Sequence, residues 1–538
     1  MITLHGKGVS AGIASGKIQF LKRTSASVEK RPVDDTDAEI ERFQNARKKA
    51  CDQLDELSEK MADKIGEENA ALFEIHRMML QDTDYTDPIL ALITSEKVCA
   101  EYAVNTAGSL LAQEFADMDD EYMKARSIDV YDISKRIIDI LSGVVQQSGG
   151  AEPSIFAADD FTPSETAQME QGTVLGMISR GGAANSHSAI FARTMGIPAI
   201  IGFREFLSDD LSGKEALMDG EDGVLYIMPD EPTVHRLNEK KSRLFREKEA
   251  LERLRGQPTT TQAGKKIKLY ANIGSVNDAE AALAGDAEGI GLFRSEFLYL
   301  GRDDYPDEET QFTNYKKVLE KMDGRQVVIR TLDIGADKQA AYFKLPHEEN
   351  PALGLRAIRI CLTRPALFKT QLRAIYRASA YGNTAIMFPM INSLSDLQRS
   401  KQIAADVRAE LATEKIPFNA ELPIGIMIET PASVIIADKL AKSSDFFSIG
   451  TNDLTQYTLA VDRQNEAISE FCDTHHEAIL RMIRMTVEAA HAAGIWCGIC
   501  GTLGADEALT KTFLDMDIDE LSVEPAFILP LRKQILEM

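Results

Sequence analysis

The chain has 538 residues, 44% of them hydrophobic, enough to build several cores in roughly three or four domains. Lys and Arg total 60 against 84 Asp and Glu, a net charge of −24 that excludes a nucleic-acid partner and suits an acidic enzyme with a basic protein partner. There is no run of about 18 apolar residues and no leader-like apolar core near Met1, and the six cysteines are scattered, so a cytoplasmic enzyme with reduced thiols is expected.

Residues 1–20 alternate apolar positions with Gly and Ser, as strands and turns do. The texture then turns helical. Thr36 to Glu39 reads as a capping box, and Ile40, Phe43, Ala46, Ala50, Leu54, Leu57 and Met61 follow at helical spacing. Further helices are expected around Phe73–Leu80, after Thr86-Asp87-Pro88, and through Tyr131–Leu141, making an all-helical insert over 25–145. Strand-like runs return after Gly149-Gly150 in PSIFAADD, TVLGMIS, IPAIIGF and GVLYIMPD. With residues 1–24 they form a small β/α domain over 146–230 that the helical domain interrupts. The charged stretch 231–261, with Leu237, Leu244, Leu251 and Leu254 along it, reads as a helical linker on which something swings.

Inside the β/α domain, Gly181 to Gly202 reads GGAANSHSAIFARTMGIPAIIG. Two glycines permit close backbone approach, and His187 stands at the mouth of an apolar helix, flanked by Ser186 and Ser188. Unpaired N–H groups at such a helix start favour an anion, and a phosphoryl group on the imidazole would be one.

From 262 to 538 short apolar runs alternate with helical segments: IKLYANIG, GIGLFRSE, VVIRTLDIG, AIMFPMI, IGIMIETP, FFSIGTND, WCGICGTLG and ELSVEP. Eight strands in a stretch of this length predict a (β/α)8 barrel, whose active site lies at the C-terminal strand ends. Polar residues fall there: Asn272, Arg294, Arg330, Glu429, Asn452, Asp453 and Cys500, with Arg356 and Arg463 in loops just after strands. Arginine forks bind phosphate bidentately, and two carboxylates suit Mg²⁺, which completes its shell with substrate oxygens and water. The residues therefore point to a phosphorylated, carboxylate-bearing small substrate held on Mg²⁺. Cys497 and Cys500 form a C-x-x-C, but within a barrel strand rather than opening a helix, which favours a proton-donating Cys500 over redox chemistry.

The run SHSAIFAR followed by GIPAIIG resembles the phosphohistidine signature of the phosphoenolpyruvate-utilising enzymes, with Asn185 where threonine is usual. GLFRSEFLYLGRD, VIRTLDIGADK, HEENPALGLRAIR, MIETPAS and FFSIGTNDLTQYTLAVDR resemble the motif series of the enzyme I family, the phosphoenolpyruvate–protein phosphotransferases of the bacterial sugar phosphotransferase system. DDEYMKARSIDVYDISKR in the helical insert extends the likeness over nearly the whole chain, while Thr502 departs from the family's usual glutamate. The resemblance implies a swivelling phosphohistidine domain with an inserted helical domain that binds the carrier protein HPr, then a barrel that binds phosphoenolpyruvate and dimerises. It further implies that Arg294, Arg330, Arg356, Asn452 and Arg463 bind phosphoenolpyruvate, that Glu429 and Asp453 hold Mg²⁺, that Cys500 donates the proton and that His187 carries the phosphoryl group. The rivals are a dikinase- or synthase-like relative and a regulatory paralogue that binds phosphoenolpyruvate or HPr without turnover.

Overall fold

The structure is a computed structural model that describes all residues except 22–27, 66, 119–120, 145–151, 168, 170–171, 183–185, 204–208 and 336–339. Asn185 therefore lies outside the described residues. The chain divides into two compact units, Met1–Arg246 and Glu247–Met538.

The first unit is built on an eight-stranded sheet. Its centre is parallel: Ile13–Phe20, Ser154–Ala158, Val174–Ser179 and Ala199–Ile201 lie side by side in that order. Lys17 pairs with Ser154 and Phe20 with Ala157, so the helices between them in sequence are inserted between two neighbouring strands. They run Thr36–Ile65, Glu67–Gln81, Thr83–Glu96, Ala100–Ala116 and Glu121–Leu141. Phe43, Leu54, Ile89, Val104 and Ile133 of these helices share one apolar core with Phe156, Met177 and Ala199 of the sheet.

Three local readings need correction. Thr36 is not the cap of its helix: Asp35 is, its carboxylate accepting from the Ala38 amide at 3.0 Å. Glu39 is drawn instead to the Ala100 amide at 2.6 Å, where it serves the start of another helix. The helix expected after Pro88 begins earlier, at Thr83, capped by Asp82, and carries Pro88 inside it. The strand Glu215–Asp219, which pairs with Ile13–Phe20 and Val224–Ile227, has no counterpart among the expected strands.

Helix Glu231–Glu252 begins by packing on the sheet of the first unit. Leu237 is buried against Ile13 and Leu217, and Lys240 pairs with Asp219 at 2.7 Å and with Glu221 and Asp222 at 3.0 Å. The first half of the stretch read as a linker is thus fastened by apolar contact and charge.

The second unit is a closed barrel of eight parallel strands. They are Lys268–Ile273, Ile290–Arg294, Val327–Arg330, Thr384–Phe388, Ile424–Ile428, Phe446–Ile449, Trp496–Ile499 and Glu520–Val523. Alternation along each strand sends one set of side chains into the barrel and the other toward the surrounding helices. Leu292, Val328, Met387, Met427, Phe446 and Cys500 form the inner cluster. Cys497 belongs to the outer core with Ile426, Ile483 and Phe513, so the two cysteines of WCGIC face opposite ways.

Candidate active site

The barrel gathers most of the expected residues at one mouth because each ends or closely follows a strand. A cavity of about 540 Å³ there is lined by Arg294, Arg330, Glu429, Asn452, Asp453, Arg463 and Cys500, together with Asn272. Arg356 lines an adjoining cavity of about 530 Å³, which Asp453 and Arg463 share. Its guanidinium reaches the same carboxylates.

Two acids not singled out in the sequence hold these arginines. Asp333, just past the strand Val327–Arg330, takes Arg330 at 3.1 Å on one oxygen and Arg356 at 3.0 Å on the other. Glu296 takes Arg330 at 2.6 Å, and Asp453 takes Arg356 at 3.1 Å. Tyr457 adds an acceptor to Arg356 at 2.9 Å. Burial works against the charge of both guanidinium groups, but the neighbouring carboxylates more than offset it and raise both pKa values. Both forks are therefore fixed, charged and pre-positioned, which an anion site requires.

The backbone is bent to deliver them. Gly335 has φ of +113°, and a Cβ there would stand 2.5 Å from that of Arg356. Ala357, next to Arg356, has φ of +51°, and Met390 has φ of +56°, values uncommon for non-glycine residues. The Met390 amide donates to Glu429 Oε1 at 2.5 Å.

Glu429 is almost fully buried, and its other oxygen, Oε2, has no hydrogen-bond partner among the described residues. Burial, then Asp453 and Asp333, push its pKa up to about 8. The Cys500 thiol is pushed up to about 12, chiefly by burial, so it keeps its proton at neutral pH. Its sulfur donates toward the Ile449 carbonyl at 3.7 Å. The Asn272 amide donates to the Cys500 carbonyl at 3.0 Å and accepts from Ser522 at 2.7 Å, bracing the strand end. Arg294 lies over the Phe297 ring at 5.2 Å, and Arg463 is exposed at the rim.

His187 lies in the other unit, as the first residue of helix His187–Met195. Ser186 caps that helix by accepting from the Ala189 amide at 3.3 Å, and its hydroxyl meets that of Ser188 at 3.0 Å. Gly182 has φ of +98°, and a Cβ there would come within 3.4 Å of Asp160, so the glycine turn before the helix is a conformational requirement. The side chain of His187 lies outside the description.

Comparison with known proteins agrees with this division. The profile described as "PEP-utilising enzyme, PEP-binding domain" matches residues 248–538, "PEP-utilising enzyme, N-terminal" matches 5–126, and "PEP-utilising enzyme, mobile domain" matches 142–223. The phosphoenolpyruvate-protein phosphotransferase of Priestia megaterium is 41% identical over 99% of this chain and 94% of its own length. That of Bacillus subtilis (strain 168) gives the same three values, and that of Haemophilus influenzae is 41% identical over 99% of this chain and 93% of its own length. No helix among the described residues is long and apolar enough to cross a membrane. This chain belongs to the family of phosphoenolpyruvate-protein phosphotransferases, the enzyme I family.

Proposed function

We propose that the chain transfers the phosphoryl group of phosphoenolpyruvate to its own His187, releases pyruvate, and passes the group on to HPr at the start of sugar uptake. The observation that carries this reading is the convergence of fixed arginines, two carboxylates and a protonated thiol on one barrel mouth in a chain of this family.

Arg294, Arg330, Arg356 and Arg463 neutralise the phosphate and carboxylate of the substrate, and Asn452 adds an amide donor. The imidazole of His187 attacks phosphorus, forming the P–N bond as the bond from phosphorus to the enol oxygen breaks. Cys500 then gives its proton to the methylene carbon of enolpyruvate, leaving pyruvate and a thiolate that water reprotonates. A thiol held neutral by burial is suited to that task.

Glu429 and Asp453 would hold Mg²⁺. The fit rests on Glu429 Oε2, a buried acceptor without a partner among the described residues, and on the crowding of Glu429, Asp453 and Asp333, which a cation relieves. No group of three or more His, Cys, Asp or Glu placed to hold a metal occurs among the described residues, but Mg²⁺ asks for only one or two carboxylates and fills its shell with substrate oxygens and water. When bound, the ion supplies neutralisation of the phosphoryl and carboxylate oxygens.

The phosphohistidine domain would comprise 1–24 and 146–230, and the helical insert 25–145 would receive HPr. A barrel-to-barrel homodimer in the cytoplasm completes the proposal. The test is incubation with labelled phosphoenolpyruvate and Mg²⁺, followed by addition of HPr. Label should move from the chain to HPr while pyruvate accumulates, and a labelled chain that never discharges to HPr would end this reading.

A further inference from the structure

The short turn after the seventh barrel strand, Thr502–Ala505, carries a feature that the mechanism above does not use. Thr502 donates twice to one oxygen, Asn452 Oδ1: its backbone amide from 3.0 Å and its hydroxyl from 2.7 Å. An N–H donor can face only the oxygen of a side-chain amide, so these two bonds fix which way Asn452 is turned. Its Nδ2 makes no hydrogen bond among the described residues, and Asn452 lines the cavity with Thr502 beside it.

The approach that makes this possible is built into the backbone. Gly501 lies so close to Thr451 that a Cβ would stand 1.9 Å from the Thr451 hydroxyl and 2.6 Å from its amide nitrogen, so no side chain fits there. The far end of the turn is pinned as well, because Asp506 meets His475 Nε2 at 2.6 Å. His475 belongs to the segment that follows Arg463 and the short helix Glu466–Phe471. The turn is thus held at both ends, with its hydroxyl aimed at a substrate-contacting amide.

We infer that Thr502 is a positioning residue of the phosphoenolpyruvate site, its hydroxyl reinforcing the backbone amide in locking Asn452 so that only the Asn452 N–H donors face the anionic substrate. The inference rests on the reading that Asn452 contacts phosphoenolpyruvate. An asparagine free to flip would present its carbonyl oxygen to an anion for part of the time, and binding would weaken accordingly.

The test compares Thr502→Val, Thr502→Ser and Asn452→Ala with wild type in steady-state pyruvate release, with thermal midpoints taken in parallel. Thr502→Val removes the hydroxyl at nearly constant volume, and Thr502→Ala does so where the valine disturbs the turn. KM for phosphoenolpyruvate should rise about three- to tenfold, the worth of one hydrogen bond, with kcat changed less than about twofold and the thermal midpoint unmoved. Thr502→Ser should restore KM, and the double variant Asn452→Ala/Thr502→Val should be no worse than Asn452→Ala alone. A wild-type KM in Thr502→Val beside a raised KM in Asn452→Ala overturns the positioning role. A wild-type KM in Asn452→Ala shows that the site reading itself has failed, and the inference falls with it.

Discussion

Two clusters of buried charge in this chain look alike in composition and differ in what they leave over. In the first unit, where the helical insert meets the sheet domain, Asp132 accepts from the Ser164 hydroxyl at 2.5 Å and from its amide at 3.2 Å. Arg136 reaches Ser164 at 2.7 Å and Gln53 at 3.0 Å, and Asp129 lies 3.1 Å from both His76 and Arg126. Those acids are matched by donors and the cluster ties the insert to the sheet, leaving over only nitrogens, His76 Nδ1 and Nε2 and Arg136 Nε, without hydrogen-bond partners among the described residues. At the barrel mouth Arg330 and Arg356 are matched just as closely, yet Glu429 keeps a bare buried oxygen and Cys500 a proton beside a cavity of about 540 Å³. Burial of charge therefore does not mark a site by itself. An unbalanced remainder facing a cavity does.

The sharpest way to break this comparison is to remove the remainder. Cys500→Ala should slow pyruvate formation by about 10²- to 10⁴-fold, as loss of a general acid does, while phosphohistidine still forms and enolpyruvate tautomerises in solution. Cys497→Ala should be nearly silent in both assays, because its side chain belongs to the outer core. Equal losses in the two variants would contradict the proton-donor role.

Matched charges in the two clusters can then be cut in turn. Arg330→Met takes from Glu296 its guanidinium partner at 2.6 Å and from Asp333 one of its two guanidinium partners, so stability should fall by about 3–5 kcal/mol in denaturant titrations and phosphoenolpyruvate binding should be lost. Asp132→Asn should cost about 1–3 kcal/mol and leave labelling per folded molecule unchanged. A loss of labelling in folded Asp132→Asn would mean that the first cluster does more than join the insert to the sheet.

A smaller effect concerns Glu520, which begins the last barrel strand at the end opposite the mouth. Both its oxygens are buried without hydrogen-bond partners among the described residues, and burial lifts its pKa to about 8. The unfolded chain gives up that proton near the ordinary value of about 4.5, so between there and about pH 8 it holds fewer protons than the folded chain. Stability therefore declines as pH rises through that window. Glu520→Gln should remove this decline, and its thermal midpoint should exceed that of wild type at pH 8 by more than at pH 5. Parallel pH profiles would contradict the assignment.

Much of this architecture is legible in the sequence, for reasons that name their own limits. Each barrel strand is a short, β-branched or aromatic run bounded by polar residues, so its place and its terminal residue can both be read. What hides is partnership across distance. Asp333 and Glu296 sit in motifs read for their arginines, and nothing local shows that Asp333 bridges Arg330 to Arg356, 26 residues away. Glu39 completes a capping box on paper, but the Ala100 amide takes its carboxylate and Asp35 is the better-placed cap. The strand Glu215–Asp219 hides because it is short, is flanked by charge, and ends on Asp219, which is buried by Lys240 and by the Glu221 and Asp222 amides.

The central claim is that the barrel binds phosphoenolpyruvate while a histidine in the other unit carries its phosphoryl group. It is tested most directly by incubating wild type and His187→Ala with labelled phosphoenolpyruvate and Mg²⁺ and mapping acid-labile label. Wild type should carry one such label, at His187. The variant should carry none, yet bind phosphoenolpyruvate with an affinity close to that of wild type. Acid-labile label on the variant, or an unlabelled wild type that still binds phosphoenolpyruvate, would contradict it.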